Sequence, residues 1–448
     1  MNITDVFIDS IYSFQPQKIP EKIFLQAKKA LLDYIGVTLA GATIMRQKND
    51  SFLNLFPAGK EESCSVIGFD KKSSIYNAII INGFNSHITE LDDGHRLGML
   101  HLGSPIISSL LSVAEYNKLE GEKLLRGIIA GYEAAILIAK AMQPDHKQRG
   151  YHTTGTCGTI GAAIGIATAL SYNKSQLKAS LSSAATCAGG LLEIQEDGSE
   201  LKPYNASQAA LNGLSAALIG KFGLISPDDI LGGKRGLFAV LSNKENAQKL
   251  LERVNDYEIE NIYFKSHASC RHTHGPIDTA KMIIENNNIS INDIKSIHIE
   301  TYRAAIIGHD HKEVKGIASA KMSIPFSVAL AIAKGHAGMT DFNNTNLVDP
   351  TILSLCDLIS ITENKEFTDL APSKRISKME ITTYSNKRYN RHVEYAKGEP
   401  ENPLSKNEFE NKFDSLCLFA GKEKEKSSVI KDIIWSLEER IENLYELL

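Results

Sequence analysis

Closely spaced cysteine pairs, the residue pattern of a signal peptide and long apolar runs are all missing from this sequence. Its six cysteines are scattered, at Cys64, Cys157, Cys187, Cys270, Cys356 and Cys417. Such scattering is typical of reduced thiols in a cytosolic protein and argues against a disulfide framework. The first residues lack the basic and then apolar plan of a signal peptide, and the mostly apolar stretch 128–139 is interrupted by Tyr132-Glu133. We therefore expect a cytoplasmic protein without a membrane-spanning segment.

An excess of basic charge is also missing. Lys and Arg number 49 against 53 Asp and Glu, which gives a net charge of -4. Proteins that bind nucleic acids carry a basic surface, so we expect no nucleic-acid partner. Hydrophobic residues make up 43% and charged residues 23% of the 448 positions. This composition is typical of a soluble globular protein, and the length predicts two domains.

Helical patterns dominate the chain before Asn261. Pro20-Glu21-Lys22 begins one helix, because proline and an acidic side chain favour a helix start. Further helices are predicted over 120–142, 158–170, 177–192 and 211–222. Because two of these segments are crowded with Ala, Gly and Ser, we expect helices that pack closely at the centre of a bundle.

Strand-forming residues alternate with polar ones in the later part of the chain. We predict strands at 297–302, 379–384 and 391–395, of which the last two form a hairpin, and helices at 278–286 and 323–334. The predicted fold class is mainly α with a smaller α+β part. We expect an all-helical domain from residues 1–261 and 397–448, and an α+β domain from residues 262–396.

Three short polar segments interrupt the apolar sequence and carry its most informative histidines. The first contains Asp92-Asp93-Gly94-His95-Arg96 and His101, the second is Gly150-Tyr151-His152-Thr153-Thr154-Gly155-Thr156, and the third is the run 265–274. Imidazole is the side chain that exchanges protons most readily near neutral pH. Polar segments of this density among apolar helices therefore predict the wall of a reaction cleft.

The first two segments each have a second interpretation. The first lies between two apolar stretches, 79–88 and 106–114, and is predicted to be a loop between helices. An N-cap with surface charges would explain it, but acid, imidazole and guanidinium so close together favour a functional site. His152 precedes a helix start, whose free N–H groups favour a substrate carboxylate, although it could also be incidental to a capping segment.

Lys202, in the loop 198–203, is by itself no more than a surface lysine.

The third segment is the densest, and it contains Lys265, Cys270, Arg271, His272 and His274. On a strand or an extended loop, Cys270, His272 and His274 would point the same way, which suggests zinc. Their spacing does not match a usual mononuclear site. Lys265 and Arg271 would also repel a cation, whereas both would hold a carboxylate well. We therefore expect no metal, and a zinc hydrolase remains an alternative.

Together, these segments resemble the MmgE/PrpD family. The resemblance rests on the D-D-x-H loop, the G-[YF]-H-x-T-[GS] segment, the K-P loop and the K-x-x-x-x-C-R-x-x-H run. It extends to 32–41, which is similar to the family's opening helix, and to 397–404, which resembles its G-x-P-x-N-P signature. The similarity thus covers nearly the whole chain.

The resemblance implies an enzyme that acts on small di- or tricarboxylic acids without a metal or organic cofactor. The family includes 2-methylcitrate dehydratase, cis-aconitate decarboxylase and iminodisuccinate epimerase. It also implies a homodimer, and a helical domain built from both chain ends with the α+β domain as its lid.

Matched residue by residue, the resemblance implies the catalytic residues Asp93, His101, His152, Lys202, Lys265 and His274. We add Arg96, Arg271, Cys270 and His95 as candidate substrate-binding residues. Cys270 stands where the decarboxylases have a further catalytic histidine, which argues against a decarboxylase. Leu102 stands where the family usually has a proline, which leaves the shape of the loop open.

The reactions of the family share a carbanion-like species beside a carboxylate, and its negative charge needs stabilisation. Positive charge is available from Lys202, Lys265, Arg96 and Arg271. We expect His101 and His152 to form the acid–base pair, with Asp93 orienting one imidazole, and His274 to contact the substrate. A 2-methylcitrate-dehydratase-like elimination is the favoured reaction. Epimerisation of an iminodisuccinate-like acid, cis-aconitate-type decarboxylation and non-catalytic binding of an organic acid are the alternatives.

Overall fold

The computed structural model describes residues 2–14, 19–49, 51–56, 62–251, 257–438, 441 and 443–448. The fold is mainly α with a smaller α+β part, as the sequence predicted. The helices are α1 (Ile3–Tyr12), α2 (Glu21–Lys48), α3 (Ile75–Ile88), α4 (Gly103–Asn117), α5 (Gly121–Met142), α6 (Asp145–Gln148), α7 (Thr153–Ala169), α8 (Lys174–Cys187), α9 (Lys202–Lys221), α10 (Leu237–Leu241), α11 (Arg271–Asn287), α12 (Arg303–Ile306), α13 (Ile317–Met322), α14 (Ile324–Lys334), α15 (Asn344–Leu347), α16 (Pro350–Asp357), α17 (Lys365–Leu370), α18 (Lys406–Phe419), α19 (Lys424–Trp435) and α20 (Leu444–Leu447).

The strands are short apart from those of the α+β part. They are β1 (Cys64–Val66), β2 (Lys71–Ser73), β3 (Gly94–His95), β4 (Ile262–Tyr263), β5 (Ile294–Thr301), β6 (Ile359–Glu363), β7 (Ser377–Thr383) and β8 (Arg388–Val393). Short 3-10 helices occupy Phe52–Leu55, Leu192–Gly198, Lys244–Leu251, Glu258–Asn261 and Ile291–Asp293.

Helix boundaries follow local signals where these are strong. Pro20 precedes α2 and Glu21 lies in its first turn, as predicted. Helix α8 begins at Lys174, because Asn173 and Gln176 form a capping box. It ends at Cys187, earlier than the predicted residue 192, and is followed by Gly189-Gly190, where Gly190 has a φ of +142°.

Helix α7 lies at the centre of the helical bundle, and all of its residues are buried. Its glycines allow close approach of backbones: a Cβ added at Gly161 would lie 2.7 Å from the carbonyl oxygen of Gly131 in α5. The prediction that small side chains mark closely packed central helices is therefore confirmed.

A four-stranded sheet forms the α+β part, in the order β6-β5-β7-β8. Strand β5 pairs parallel with β6, where Ile297 lies opposite Ile359, and antiparallel with β7, where Ile297 lies opposite Ile381. Strands β7 and β8 form the predicted hairpin. Alternate residues of β7, including Met379 and Ile381, are buried against the helices of this part.

Two large hydrophobic cores reflect this architecture. The first unites the helices before residue 261 with the C-terminal helices, through residues such as Phe409 and Phe413. The second is built from α11, α14, α16 and the sheet, but it also takes in Val37 and Ala40 of α2. The domain division at 262 and 396 stays a prediction, since α2 contributes to both cores.

None of the helices described combines the length and the apolar character required of a bilayer-crossing segment.

Candidate active site

The first polar segment is the loop between α3 and α4, and strand pairing brings it to the third segment. Gly94 of β3 lies opposite Tyr263 of β4, two residues before Lys265. His87 lies in the last turn of α3, and Glu90 follows with a φ of +54°. A side chain in this left-handed conformation costs about 1 kcal/mol or more, and such strain persists where surrounding contacts hold it, often at functional sites.

Asp92 is the carboxylate that contacts the imidazoles of this loop. His87 Nδ1 donates to Asp92 Oδ2 at 2.7 Å, and His101 Nδ1 lies 3.3 Å from the same oxygen. Ser104 donates to that oxygen as well, at 3.2 Å. Although burial opposes its ionisation, His101, His87 and Lys265 hold the pKa of Asp92 below its usual range. Asp92 is therefore the buried anion of the site.

The Asp93 side chain contacts the start of α4 and Tyr132, and the catalytic role expected for it stays a prediction. Its carboxylate accepts from the Gly103 backbone N–H at 2.9 Å and from the Tyr132 hydroxyl at 2.7 Å, so it holds the start of α4. Its contact with an imidazole is made by the main chain, because His101 Nδ1 donates to the Asp93 carbonyl oxygen at 2.7 Å. Burial and the nearby Asp33 raise the pKa of Asp93 to about 7.

His101 is neutral and has a defined tautomer. Since its Nδ1–H donates to the Asp93 carbonyl oxygen, Nε2 carries the lone pair. Burial lowers the pKa of His101 to about 3, and the attraction of Asp92 only partly offsets this effect. The ring packs edge-on against His87, with centroids 4.9 Å apart.

His152 lies at the N-cap position of α7, and it has the opposite tautomer. Asn205 Nδ2 lies 3.0 Å from His152 Nδ1 and 3.2 Å from the Leu191 carbonyl oxygen, so the amide donates to both. Nδ1 of His152 is then an acceptor, and the proton of the neutral ring lies on Nε2. Burial, together with Lys202, holds the pKa of His152 well below its usual value.

The two predicted lysines meet at Glu90. Lys202 is the first residue of α9 instead of part of a loop, and its Nζ lies 2.5 Å from Glu90 Oε1. Lys265 Nζ donates to the Glu90 carbonyl oxygen at 2.9 Å and lies 3.4 Å from Oε2 and 4.0 Å from Asp92 Oδ1. Burial opposes ionisation of Glu90, but Lys202 and Lys265 hold its pKa well below the usual range.

The third segment does not form the extended run that would align Cys270, His272 and His274, because α11 begins at Arg271. The three side chains contact different groups. Cys270 Sγ lies 3.2 Å from His309 Nε2, and His272 Nδ1 lies 2.6 Å from the Tyr302 hydroxyl. His274 Nδ1 accepts from Arg271 at 2.9 Å. Cys270, His272 and His274 therefore do not converge on one point, as three ligands of a zinc ion would have to.

His274 is fully buried, and both of its ring nitrogens are occupied. In addition to the Arg271 contact, its Nε2 lies 3.3 Å from the Ser269 carbonyl oxygen. Burial and Arg271 hold the pKa of His274 well below its usual value. These contacts give the ring a part in positioning Arg271, and contact with the substrate stays a prediction.

The arginines predicted to bind substrate are engaged with the late signature segment. Arg96 pairs with Glu399 at 2.8 Å and with Glu401 at 2.5 Å, while Arg271 lies 2.9 Å from Glu399. His95 accepts from the Gly98 N–H at 3.0 Å, and burial lowers its pKa to about 3. These residues join the first and third segments to residues 399–401, and substrate binding by them stays a prediction.

Among the described residues, one group of potential metal ligands lies close enough together: His87, Asp92 and His101, with ligand atoms within 4.8 Å of one another. The Nδ1–H groups of both rings are used to donate to oxygen atoms. Lys265 Nζ also lies 4.0 Å from the carboxylate. These contacts favour a hydrogen-bonded cluster of protonated groups, and they disfavour a metal site.

Several residues of the site were not identified from the sequence. They are His87, Glu90, Asp92, Asn205, His309 and Lys321, of which Lys321 donates to the Thr89 carbonyl oxygen at 2.8 Å. Two signals were available. Asp92 adjoins the chosen Asp93, and Gly308-His309-Asp310-His311 is a fourth short polar segment. A lone lysine or asparagine on a helix carries no comparable signal.

Polar atoms without partners and an open pocket accompany this cluster. Within the described part of the chain, His87 Nε2 and Asp92 Oδ1 of this cluster are buried without a hydrogen-bond partner. Such groups are costly unless a ligand or water satisfies them. A pocket of about 520 Å³ opens beside Asn205 and Gly190, next to His152.

Two family models match the chain: the MmgE/PrpD N-terminal domain over residues 7–250 and the MmgE/PrpD C-terminal domain over residues 267–439. The chain belongs to the MmgE/PrpD family. The resemblance inferred from the polar segments is thus confirmed, and the protein is an enzyme of this family.

Known relatives cover most of the chain at low identity. A cis-aconitate decarboxylase-like protein, oryM, of Aspergillus oryzae is 24% identical over 392 residues, which are 82% of this chain and 80% of that protein. The cis-aconitate decarboxylase of Aspergillus terreus is 24% identical over 382 residues, 78% and 76% of the two chains. That of Homo sapiens is 21% identical over 300 residues, 63% and 60%. This MmgE/PrpD protein is therefore similar to lyases.

Proposed function

We propose that this MmgE/PrpD protein is a lyase that removes a proton next to a carboxylate of a small di- or tricarboxylic acid. The favoured reaction is a 2-methylcitrate-dehydratase-like elimination without a metal or organic cofactor. One observation carries the proposal: two neutral imidazoles, His101 and His152, have opposite tautomers and lie beside the cationic side chains of Lys202 and Lys265.

His101 is the base in this proposal. Its Nε2 lone pair is free because Nδ1–H is held by the Asp93 carbonyl oxygen. A lowered pKa keeps the imidazole unprotonated at neutral pH, so no proton blocks the Nε2 lone pair. Asp92, which lies 3.3 Å from Nδ1, stabilises the imidazolium that forms.

His152 is the hydrogen-bond donor to the substrate. With Nδ1 accepting from Asn205, its Nε2–H is available for an oxygen of the substrate. The helix α7 begins at Thr153, and its unsatisfied N–H groups add positive potential at the same place. A carboxylate or hydroxyl oxygen would be held here.

Lys202 and Lys265 stabilise the negative charge that develops when the proton leaves. Both side chains are nearly buried, with exposed fractions of 12% and 1%, so their charges act at low dielectric. Glu90 shares its carboxylate between them in the free protein. An anionic substrate therefore meets two preorganised ammonium groups.

Decarboxylation is the second candidate, because the relatives reported above are named as cis-aconitate decarboxylases or as similar to one. It would use the same charge stabilisation, with carbon dioxide leaving in place of a proton. The presence of Cys270 where the resemblance leads us to expect a histidine in decarboxylases keeps elimination the favoured reaction.

We also propose a homodimer. Large apolar side chains are exposed between residues 191 and 225, including Leu191 at 62%, Tyr204 at 53% and Phe222 at 78%. An apolar surface of this kind favours association, and the pocket beside Asn205 lies among the same residues. Sedimentation of the protein at micromolar concentration tests this proposal, and a monomer would contradict it.

The reaction is tested by incubation with 2-methylcitrate, citrate, cis-aconitate and iminodisuccinate in deuterated water, followed by NMR. We expect loss of water from a hydroxy acid, and deuterium uptake without net conversion would favour an epimerase. The variant His152→Ala, which removes one hydrogen-bond donor to the substrate, should lose a factor of about a hundred to a thousand in turnover while keeping its fold. His298, which pairs with Ser360 on β6, provides the control variant His298→Ala. Near-normal turnover in His152→Ala would contradict the assignment.

A further inference from the structure

An elimination needs a group that gives a proton to the departing hydroxyl, and the histidines of the first two segments are poorly suited to this step. Burial lowers the pKa values of His101 and His152, so both are neutral near pH 7 and hold no readily donated proton. Glu90 and Asp92 have lowered pKa values and are ionised. In the free protein, none of these four groups is therefore a ready proton donor.

Cys270 and His309 form a hydrogen-bonded pair in the α+β part of the chain. The distance from Cys270 Sγ to His309 Nε2 is 3.2 Å. His309 Nδ1–H donates to the Ile307 carbonyl oxygen at 2.7 Å, which fixes the ring so that Nε2 faces sulfur. One proton is thus shared between Sγ and Nε2. Cys270 is also the N-cap residue of α11, where the helix dipole stabilises a negative charge.

The electrostatic effects within this pair agree with its geometry. Burial opposes ionisation of the thiol, but the neighbouring His309 lowers the pKa of Cys270 to about 6. Burial also opposes protonation of the imidazole, yet Cys270 raises the pKa of His309 above its usual value. Both effects favour the thiolate–imidazolium form of the pair, in which His309 Nε2 carries the shared proton.

Lys321 connects the pair to the turn that carries Glu90. The Cys270 backbone N–H donates to the Lys321 carbonyl oxygen at 2.9 Å, and Lys321 Nζ donates to the carbonyl oxygen of Thr89, the residue before Glu90, at 2.8 Å. Cys270 and His309 are both half-buried, so neither side chain is sealed from solvent.

Two other groups could hold a proton near neutral pH, but their contacts make them less suitable. Asp93, with its pKa raised to about 7, accepts from Gly103 and Tyr132 and holds the start of α4. Burial lowers the pKa of Lys321 to about 8, and its ammonium donates to the Thr89 carbonyl oxygen. The pair of Cys270 and His309 remains as the proton donor, because both of its side chains are only half-buried.

We propose that Cys270 and His309 act together as the general acid that protonates the leaving hydroxyl of the substrate. The inference rests on the proposed elimination, and it gives Cys270 a catalytic part in place of the predicted binding part. His101 Nε2 takes the proton from the carbon next to the carboxylate. The electron pair of the broken carbon–hydrogen bond forms the double bond as the carbon–oxygen bond breaks. The proton on His309 Nε2 passes to Sγ and from Sγ to the departing oxygen, which leaves as water.

The charges balance over this cycle. His101 has gained one proton and the pair has lost one, so the protein returns to its starting state by one proton transfer through water. Lys202 is among the groups that stabilise the thiolate while the imidazole of His309 is neutral. No oxidant, metal or further reactant is required.

The pair itself is tested without any substrate. In a Cys187→Ser background, which removes the exposed thiol of α8, the rate of alkylation of Cys270 by iodoacetamide is followed by peptide mass spectrometry from pH 4.5 to 10. We expect the rate to rise with a midpoint near pH 6. In His309→Gln the midpoint should move to about 8.5, the value of an ordinary thiol. A midpoint near 8.5 in the parent protein would overturn the pair.

The catalytic part is tested with two substrates that differ in the leaving group. Cys270→Ala should lose a factor of about a hundred to ten thousand in loss of water from the hydroxy acid. An analogue with fluoride in place of the hydroxyl needs far less help from an acid, so its elimination should be nearly unaffected. Cys270→Ser, which keeps the size of the side chain, should behave like Cys270→Ala.

The outcomes separate this inference from the proposed function. Equal loss with both substrates, or no loss with either, would overturn the acid role of Cys270 while the elimination itself stands. If no acid of the panel is converted by the parent protein, the proposed function fails, and the general acid fails with it. The alkylation profile then decides only whether the thiolate–imidazolium pair exists.

Discussion

Asn205 donates through Nδ2 to Nδ1 of His152 at 3.0 Å, and its second contact, to the Leu191 carbonyl oxygen at 3.2 Å, fixes which end of the amide faces the ring. This relationship places the proton of His152 on Nε2. His101 has the reverse arrangement, because its Nδ1–H is held by the Asp93 carbonyl oxygen. Two histidines that look equivalent in the sequence are thereby given different parts.

Replacing Asn205 by Asp should reverse the tautomer of His152. A carboxylate can only accept, so Nδ1 would carry a proton and the pKa of the ring would rise. We expect turnover to fall by a factor of about a hundred, with the fold intact, and Asn205→Ala to lose less. Nitrogen chemical shifts of the labelled imidazole report the tautomer directly. Unchanged shifts together with full activity would contradict this part of Asn205.

His101 and His152 should remain neutral over a pH range in which an ordinary histidine becomes protonated. Burial lowers the pKa of His101 to about 3 and holds that of His152 well below its usual value. NMR of the histidine Cε1 positions should therefore show no titration of either ring between pH 8 and 5. Addition of citrate should raise both pKa values, because negative charge favours the imidazolium. A midpoint near 6.5 for either ring in the free protein would contradict the prediction.

Asp93 should make the protein less stable as the pH rises towards neutrality. Its pKa is raised from about 3.9 in an unfolded chain to about 7 by burial and Asp33. The proton thus favours the folded state, and this stability is fully present below about pH 3.9 and is lost as the pH rises through about 7. Asp93→Asn should flatten the pH dependence of the free energy of unfolding between pH 5 and 8.

Urea unfolding of the two proteins at several pH values measures this difference. The amide introduced by Asp93→Asn would still offer an oxygen to the Gly103 N–H and an N–H to the Tyr132 oxygen, so the packing of α4 should be retained. Asp369→Asn, on the exposed face of α17, is the matched control and should leave the pH dependence unchanged. An Asp93→Asn curve parallel to the parent curve would show that Asp93 does not titrate in this range.

Glu90→Gln should strengthen the binding of citrate to the free protein. The carboxylate of Glu90 neutralises part of the charge of Lys202 and Lys265, so its removal leaves more positive potential for an anion. We expect a tightening of Kd on the order of tenfold at low salt, which diminishes as salt screens the charges. Calorimetric titration measures the Kd values. Glu366→Gln, at an exposed position of α17, is the control; equal Kd values for all three proteins would contradict the effect.

Much of the fold could be predicted from local patterns. The helix expected over 120–142 is α5 (Gly121–Met142), and the hairpin expected near 379–395 is formed by β7 and β8. The start of α11 could not be predicted, because it depends on distant partners. The Cys270 N–H donates to the Lys321 carbonyl oxygen at 2.9 Å, and Arg271 pairs with Glu399. A polar run without an apolar stripe gives no local sign of such contacts.

The sequence by itself determined the helical periodicity and the polar segments, because each depends on residues close together along the chain, and the motifs within those segments determined the resemblance to a family. Only the tertiary structure decided that Asp92, and not the Asp93 side chain, meets the imidazoles, and that Cys270 pairs with His309. It also decided which nitrogen of His101 and of His152 carries the proton. The physical reason is that a hydrogen-bond partner selects the tautomer, and the partner of His152 lies 53 residues further along the chain.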